Sequence, residues 1–128
     1  MRLYCVQFIC KQEEVWLSKT TPFEPIRSES IYWLNVHLFL ASDDNAAYEK
    51  ASSMIVGFED ANHDGPGDRT NFSCVGIHEL EEVYTFAGLE SELNDTYGLE
   101  VTTVDWSGQG VPPARSRDDL EVFRPKPF

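Results

Sequence analysis

Between Ile31 and Leu40 the chain alternates with a period of two. Tyr32, Leu34, Val36, Leu38 and Leu40 fall on one side; Ile31, Trp33, Asn35, His37 and Phe39 fall on the other. That period belongs to an extended strand, which sends successive side chains to opposite faces. A helix start follows at once. Ser42 is placed to cap the open amides of a first turn, and Asp43 and Asp44 meet the positive end of the helix dipole. Ala47, Ala51, Met54, Ile55 and Phe58 then recur at three- and four-residue intervals, with Gly57 suited to a left-handed terminus. A strand running straight into an amphipathic helix must take that helix back onto one of its own faces. The aliphatic face, Leu34 to Leu40, is expected to receive it. The face with Trp33, His37 and Phe39 would then need a second layer from the same chain, a partner protein, or a homodimer.

The remaining elements fall into place around this pair. Residues 2–10 alternate Tyr4, Val6, Phe8 and Cys10 against Gln7 and read as a first strand. Residues 11–29, with Glu13, Glu14, Pro22 and Pro25, read as a long connection holding a little strand near Val15 to Leu17. A third strand is expected over 71–80, where Phe72, Cys74, Val75 and Ile77 alternate less cleanly, and a last one from Leu99 to Trp106. Residues 81–98 fit either a helical stripe or a turn-broken hairpin. These elements predict an α+β fold: a small, mostly antiparallel sheet of about four strands with one main helix packed on one face. One domain is expected over 1–108, followed by a Pro-rich extended tail over 109–128. With 41% hydrophobic and 12% aromatic residues, the chain has the apolar mass to build a core.

Charge narrows the partners. The chain carries 22 acidic against 10 basic residues, a formal −12, and no Lys or Arg lies between Arg69 and Arg115. Such a surface repels phosphate backbones and anionic membranes and draws basic proteins, so neither nucleic acid nor membrane is an expected partner. The tail differs, since Arg115, Arg117, Arg124 and Lys126 outnumber Asp118, Asp119 and Glu121. The apolar run from Leu3 to Cys10 contains Gln7, ends at Lys11 and has no cleavage site after it, so no secretory signal is read there. Cys5, Cys10 and Cys74 are an odd number at unrelated spacings, which suits reduced packing thiols. A cytoplasmic location is the expectation.

Several stretches resemble a known family. They are Glu29-Ser30-Ile31-Tyr32-Trp33-Leu34, then Ala41-Ser42-Asp43-Asp44-Asn45-Ala46-Ala47-Tyr48-Glu49-Lys50-Ala51, then Phe72-Ser73-Cys74-Val75-Gly76-Ile77-His78-Glu79-Leu80-Glu81-Glu82-Val83-Tyr84, and finally Glu100-Val101. In order and character they resemble the bacterial domain-of-unknown-function family numbered 4288, across residues 2–106. The resemblance implies a strand pair, a helix rich in Ala and Glu, and a further strand, with no activity attached. The loop at 59–70 and the tail look longer than that family's pattern. In its small, acidic, sheet-rich style the chain is also similar to immunity proteins that neutralise bacterial toxins.

Few residues carry a chemical signature. Asp60-Ala61-Asn62-His63-Asp64-Gly65 matches the opening of a calcium loop, and Asp68 sits at its ninth position. The twelfth position is Asn71 where a bidentate Glu belongs, and a solvated turn has the same composition. His37, His63 and His78 lack the spacing of a metal site. Gly108-Gln109-Gly110 has neither the lysine nor the following helix of a phosphate loop, and no motif implies a cofactor. The leading expectation is a non-enzymatic interaction module that binds a basic protein. Its acidic surface would comprise Glu79, Glu81, Glu82, Glu90, Glu92 and Asp95, with Trp33, Tyr84 and Trp106 as aromatic anchors. The alternatives are a small enzyme or ligand-binding protein using the sheet near His37 and His78, and a calcium-binding loop at 60–71.

Overall fold

Arg2–Leu17 forms β1, a strand whose alternate residues Tyr4, Val6, Phe8 and Cys10 are all buried on one face while Leu3 and Ile9 are buried on the other. The structure, a computed structural model, describes residues 1–19, 25–58, 60–62, 68–83, 99–106 and 110–125. Pro25–Ala41 forms β2, Asp44–Met54 the helix α1, Asp60–Asn62 the short strand β3, Arg69–Val83 β4 and Leu99–Asp105 β5. The sheet runs β3-β4-β1-β2-β5 with every pairing antiparallel, so β1 lies at its centre. An antiparallel α+β fold with one main helix is what the sequence pattern predicts, with β3 as an additional three-residue edge.

Where a long connection is expected over 11–29, the first two strands instead extend into a hairpin arm. The ladder continues from Lys11↔Tyr32 to Val15↔Ser28 and ends at Leu17↔Pro25. The carboxylates that suggested a loop are accommodated by polar partners. Glu14 accepts from Thr70 Oγ1 and Gln12 Nε2, both at 2.8 Å, and Lys11 lies 3.6 Å from Glu13. The Arg27 guanidinium sits 3.8 Å above the Trp16 ring. Pro25 stands at the first position of its strand, where a missing N–H costs the ladder least.

Helix α1 begins one residue later than expected. Asp43, not Ser42, is its N-cap, with Oδ1 accepting from Ala46 N at 2.8 Å. Its C-terminus passes into a 3-10 turn, Ile55–Phe58, so Gly57 does not serve as a left-handed cap. The larger correction is the face it covers. Ala47, Ala51 and Met54 pack with Tyr4, Val6, Phe8 and Phe39, and Trp33 borders the same cluster. The mixed face of β2 receives the helix, and the aliphatic face does not. The reason is volume: a stripe built on two alanines lets the helix approach closely, and large rings fill the layer beneath it. Tyr4 and Phe39 stack at 5.9 Å, and Phe8 meets His37 edge-on at 5.4 Å. On the opposite face Ile9, Leu34, Val36 and Leu40 are buried as well.

The uneven alternation of β4 has a structural cause. Its register with β1 slips between Gln7 and Phe8 and again between Ile9 and Cys10, leaving His78 and Val75 as extra residues. Two such bulges carry Cys74, Ile77 and Leu80 onto one face at three-residue spacing, and all three join the core. Gly76 lies between them. A Cβ there would stand 3.0 Å from Ala114 Cβ, so a glycine is needed for the C-terminal segment to approach.

That segment is an extended strap that docks on the domain. Arg115 N donates to Ile77 O at 3.0 Å, and two 3-10 turns, Arg117–Asp119 and Glu121–Phe123, flank Leu120, which is fully buried in the core. Phe123 packs edge-on against Tyr48 of α1 at 6.0 Å. The Arg117 guanidinium lies over Phe123 at 3.8 Å and donates to Asn45. Helix and strap together cover the face bearing Trp33, His37 and Phe39, so of the second layers expected for it, same chain, partner protein or homodimer, the chain itself supplies one. Leu120→Ala removes a full core side chain and is expected to lower unfolding stability by about 2–5 kcal/mol. Urea denaturation, with an unchanged slope and a lower midpoint, is the measurement.

Candidate functional site

Two clusters of charge border the helix-covered face, and both begin with carboxylates of β4. Glu79 follows the His78 bulge and turns its carboxylate to the strap. Oε2 accepts from Arg115 Nη1 at 2.7 Å and Arg124 Nη2 at 3.1 Å; Oε1 accepts from Glu121 N at 2.6 Å and Leu80 N at 3.1 Å. Arg115 Nη1 also donates to His78 O at 2.8 Å. Only 13% of the Glu79 side chain is exposed. It is an internal anchor, not a free part of an acidic rim. His78 completes this junction: its Nδ1 lies 2.9 Å from Pro113 O, a carbonyl that can only accept, so Nδ1 carries the proton. The Trp106 ring meets His78 edge-on at 5.5 Å.

The second cluster lies at the start of β1. Tyr4 donates to Asp44 Oδ1 at 2.8 Å, and Arg2 lies 3.4 Å from Glu82 and 3.9 Å from Asp44. Burial, reinforced by the hydrogen bond to the Asp44 carboxylate, pushes the Tyr4 phenol up to about 12. Arg2 is held above its ordinary value, first by its hydrogen bond with Tyr4 and then by Glu82. Glu81, half-buried, lies next to Glu82 and near Cys5, whose thiol is pushed up to about 11 by burial and then by that carboxylate.

The other expected residues divide among three circumstances. Glu90, Glu92, Asp95 and Tyr84 lie outside the described residues. Trp33 is half-buried against the core, its indole N–H donating to Asn35 Oδ1 at 2.9 Å, and Trp106 is turned inward onto His78. Neither is therefore an open surface anchor. His37 and His78 lie on strands on opposite sides of β1, the first buried beneath the helix layer and the second tied to Pro113.

The two ends of the 60–71 segment pair with each other as antiparallel strands. Asp60, Ala61 and Asn62 pair as β3 with Phe72, Asn71 and Thr70, an extended geometry unlike the coil that wraps a calcium ion. Asp68 Oδ2 accepts from Leu17 N at 2.7 Å, while Asp64 lies outside the described residues. Among the described residues no group of three or more His, Cys, Asp or Glu is placed to hold a metal ion.

Sequence reasoning missed the strap junction. Arg115 and Arg124 flank Leu120 in a Pro-rich tail, a pattern that gains meaning only when Glu79 is brought beneath it. It also missed the buried Glu14–Thr70 pair, whose partners are far apart in the chain.

Glu79→Ala is expected to cost about 1–3 kcal/mol, because two guanidinium groups lose a charged acceptor in a partly exposed setting. Trypsin should then cut after Arg115 and Arg117 faster than in the parent chain. The Tyr4 phenol gives a second expectation. Its folded value lies above the ordinary 10.0, at about 12, so its stabilisation is whole below pH 10 and is lost as pH rises toward 12. Thermal unfolding across that window should show a steeper decline in the parent chain than in Tyr4→Phe.

No family model, curated protein or solved structure matches this chain.

Proposed function

We propose that the protein is a non-enzymatic interaction module that engages a basic protein through its acidic exterior, in the manner of a toxin-neutralising immunity protein. The observation that carries this reading is the use the chain makes of its scarce positive charge. Arg115 and Arg124 both pair with Glu79, Arg2 pairs with Glu82, and Arg27 and Arg117 lie on Trp16 and Phe123 with Glu29 and Asp118 beside them. These bases already have carboxylate partners within the chain, and with 22 acidic against 10 basic residues an excess of carboxylates is left over to meet a basic partner.

In this reading the carboxylates that meet the partner are those the sequence offers beyond Glu79, namely Glu81, Glu82, Glu90, Glu92 and Asp95, with Tyr84 as aromatic anchor. Glu79, Trp33 and Trp106 serve the fold. The carboxylates act mainly by accelerating encounter and rejecting acidic competitors, while lasting affinity comes from apolar contact at the centre of the interface.

Affinity capture from a native lysate, eluted and identified by mass spectrometry, tests the proposal. One stoichiometric basic protein should be retained at low salt, with association slowing steeply toward about 1 M salt, where the Debye length is about 3 Å. Capture of acidic proteins, or a partner whose association rate ignores salt, rejects the reading.

A further inference from the structure

Cys10 and Cys74 are distant in sequence, and nothing in their spacing pairs them. The β1–β4 ladder makes them direct partners, Cys10↔Cys74, and both side chains belong to the core cluster beneath α1. Directly opposed residues of an antiparallel pair have Cα atoms about 4.5–5.5 Å apart. A disulfide needs about 4.4–6.8 Å. The ladder is irregular at this point, since the register slips between Ile9 and Cys10 and leaves Val75 as the extra residue, and a bulge of this kind lets the backbone adjust as two sulfurs close. Both cysteines are thiols in the structure, Cys74 Sγ donating to Gly76 O at 3.6 Å.

We propose that Cys10 and Cys74 form a redox-controlled modification site that closes to a cross-strand disulfide when a low-molecular-weight disulfide, such as glutathione disulfide, accumulates. Cys74 is the less buried of the two, 7% against 4% exposed, and is the attacking group. Its thiolate takes one sulfur of the small disulfide and releases one small thiol. The Cys10 thiolate then displaces the second. The protein's two thiols are oxidised by two electrons, the small disulfide is reduced to two thiols, and the two protons leave with them. Cys5 does not compete for the bond: it lies on the opposite face of β1, opposite Leu38 and Glu81, and points away from the Cys10–Cys74 pair. The bond would tie the central strand to β4 across a loop of roughly sixty residues and so constrain the unfolded chain.

The full chain carrying Cys5→Ser, incubated with glutathione disulfide under native conditions and then alkylated in denaturant, tests the site. A loss of the mass of two hydrogens is expected, with no alkylation, a cross-linked peptide joining Cys10 to Cys74, and a melting temperature raised on the order of 10 °C that a dithiol reverses. Cys5→Ser combined with Cys74→Ser should show neither change. Two alkylated thiols after overnight exposure, a persistent glutathione adduct, or covalent dimers on a non-reducing gel would each overturn the proposal. Cys5→Ala repeats the measurement should the serine variant fold poorly.

Discussion

A single strand buried on both faces and paired along both edges holds this fold together. β1 gives Tyr4, Val6, Phe8 and Cys10 to the layer beneath the helix and Leu3 and Ile9 to the other side, while β2 and β4 satisfy its backbone. A strand in that position has its backbone groups taken up by neighbours on both edges from Leu3 to Val15, so those neighbours must hold register with its buried side chains. The two bulges in β4 are the concession to this constraint. They let a strand with three-residue apolar spacing keep Cys74, Ile77 and Leu80 on the same side as the core of β1.

The C-terminal strap follows from the same arrangement. The helix, built on Ala47 and Ala51, covers the part of the face near Tyr4 and Phe39, and the region over β4 is closed by Leu120 and Phe123. A Pro-rich segment can do this without a strand ladder because, beside its backbone contacts with Ile77 and His78, it is held at three separated points. One is a buried leucine, one a carboxylate shared by two guanidinium groups and a backbone amide, and one the Arg117 contact with Phe123 and Asn45. Electrostatics and packing are thus coupled. The same arginines that carry the tail's positive charge tie it to the acidic body through Glu79 and Asn45.

Much of the fold was legible in local pattern. The alternation of 31–40, the cap at 42–44 and the Ala47–Ala51–Met54 stripe each announced an element, because backbone geometry imposes its period on side chains whatever surrounds them. Glu13 and Glu14 misled because local composition reads a carboxylate pair as solvated, whereas Glu14 finds Thr70 on a strand brought from far along the chain. Glu79 misled in the same way. Beside Glu81 and Glu82 it reads as one member of an acidic rim, and only the docking of Arg115 and Arg124 turns it inward.

The amino-acid order by itself therefore determined the main strands and the helix in their order, β3 apart, the antiparallel α+β class and the negative charge, all of which depend on neighbours within a few residues or on simple counting. Tertiary structure decided which face of β2 the helix would take, how far the first hairpin would extend, where the tail would lie and that Cys10 would stand opposite Cys74. Periodicity says which side chains share a face. Only the matching of volumes and charges between segments distant in sequence says what that face will meet.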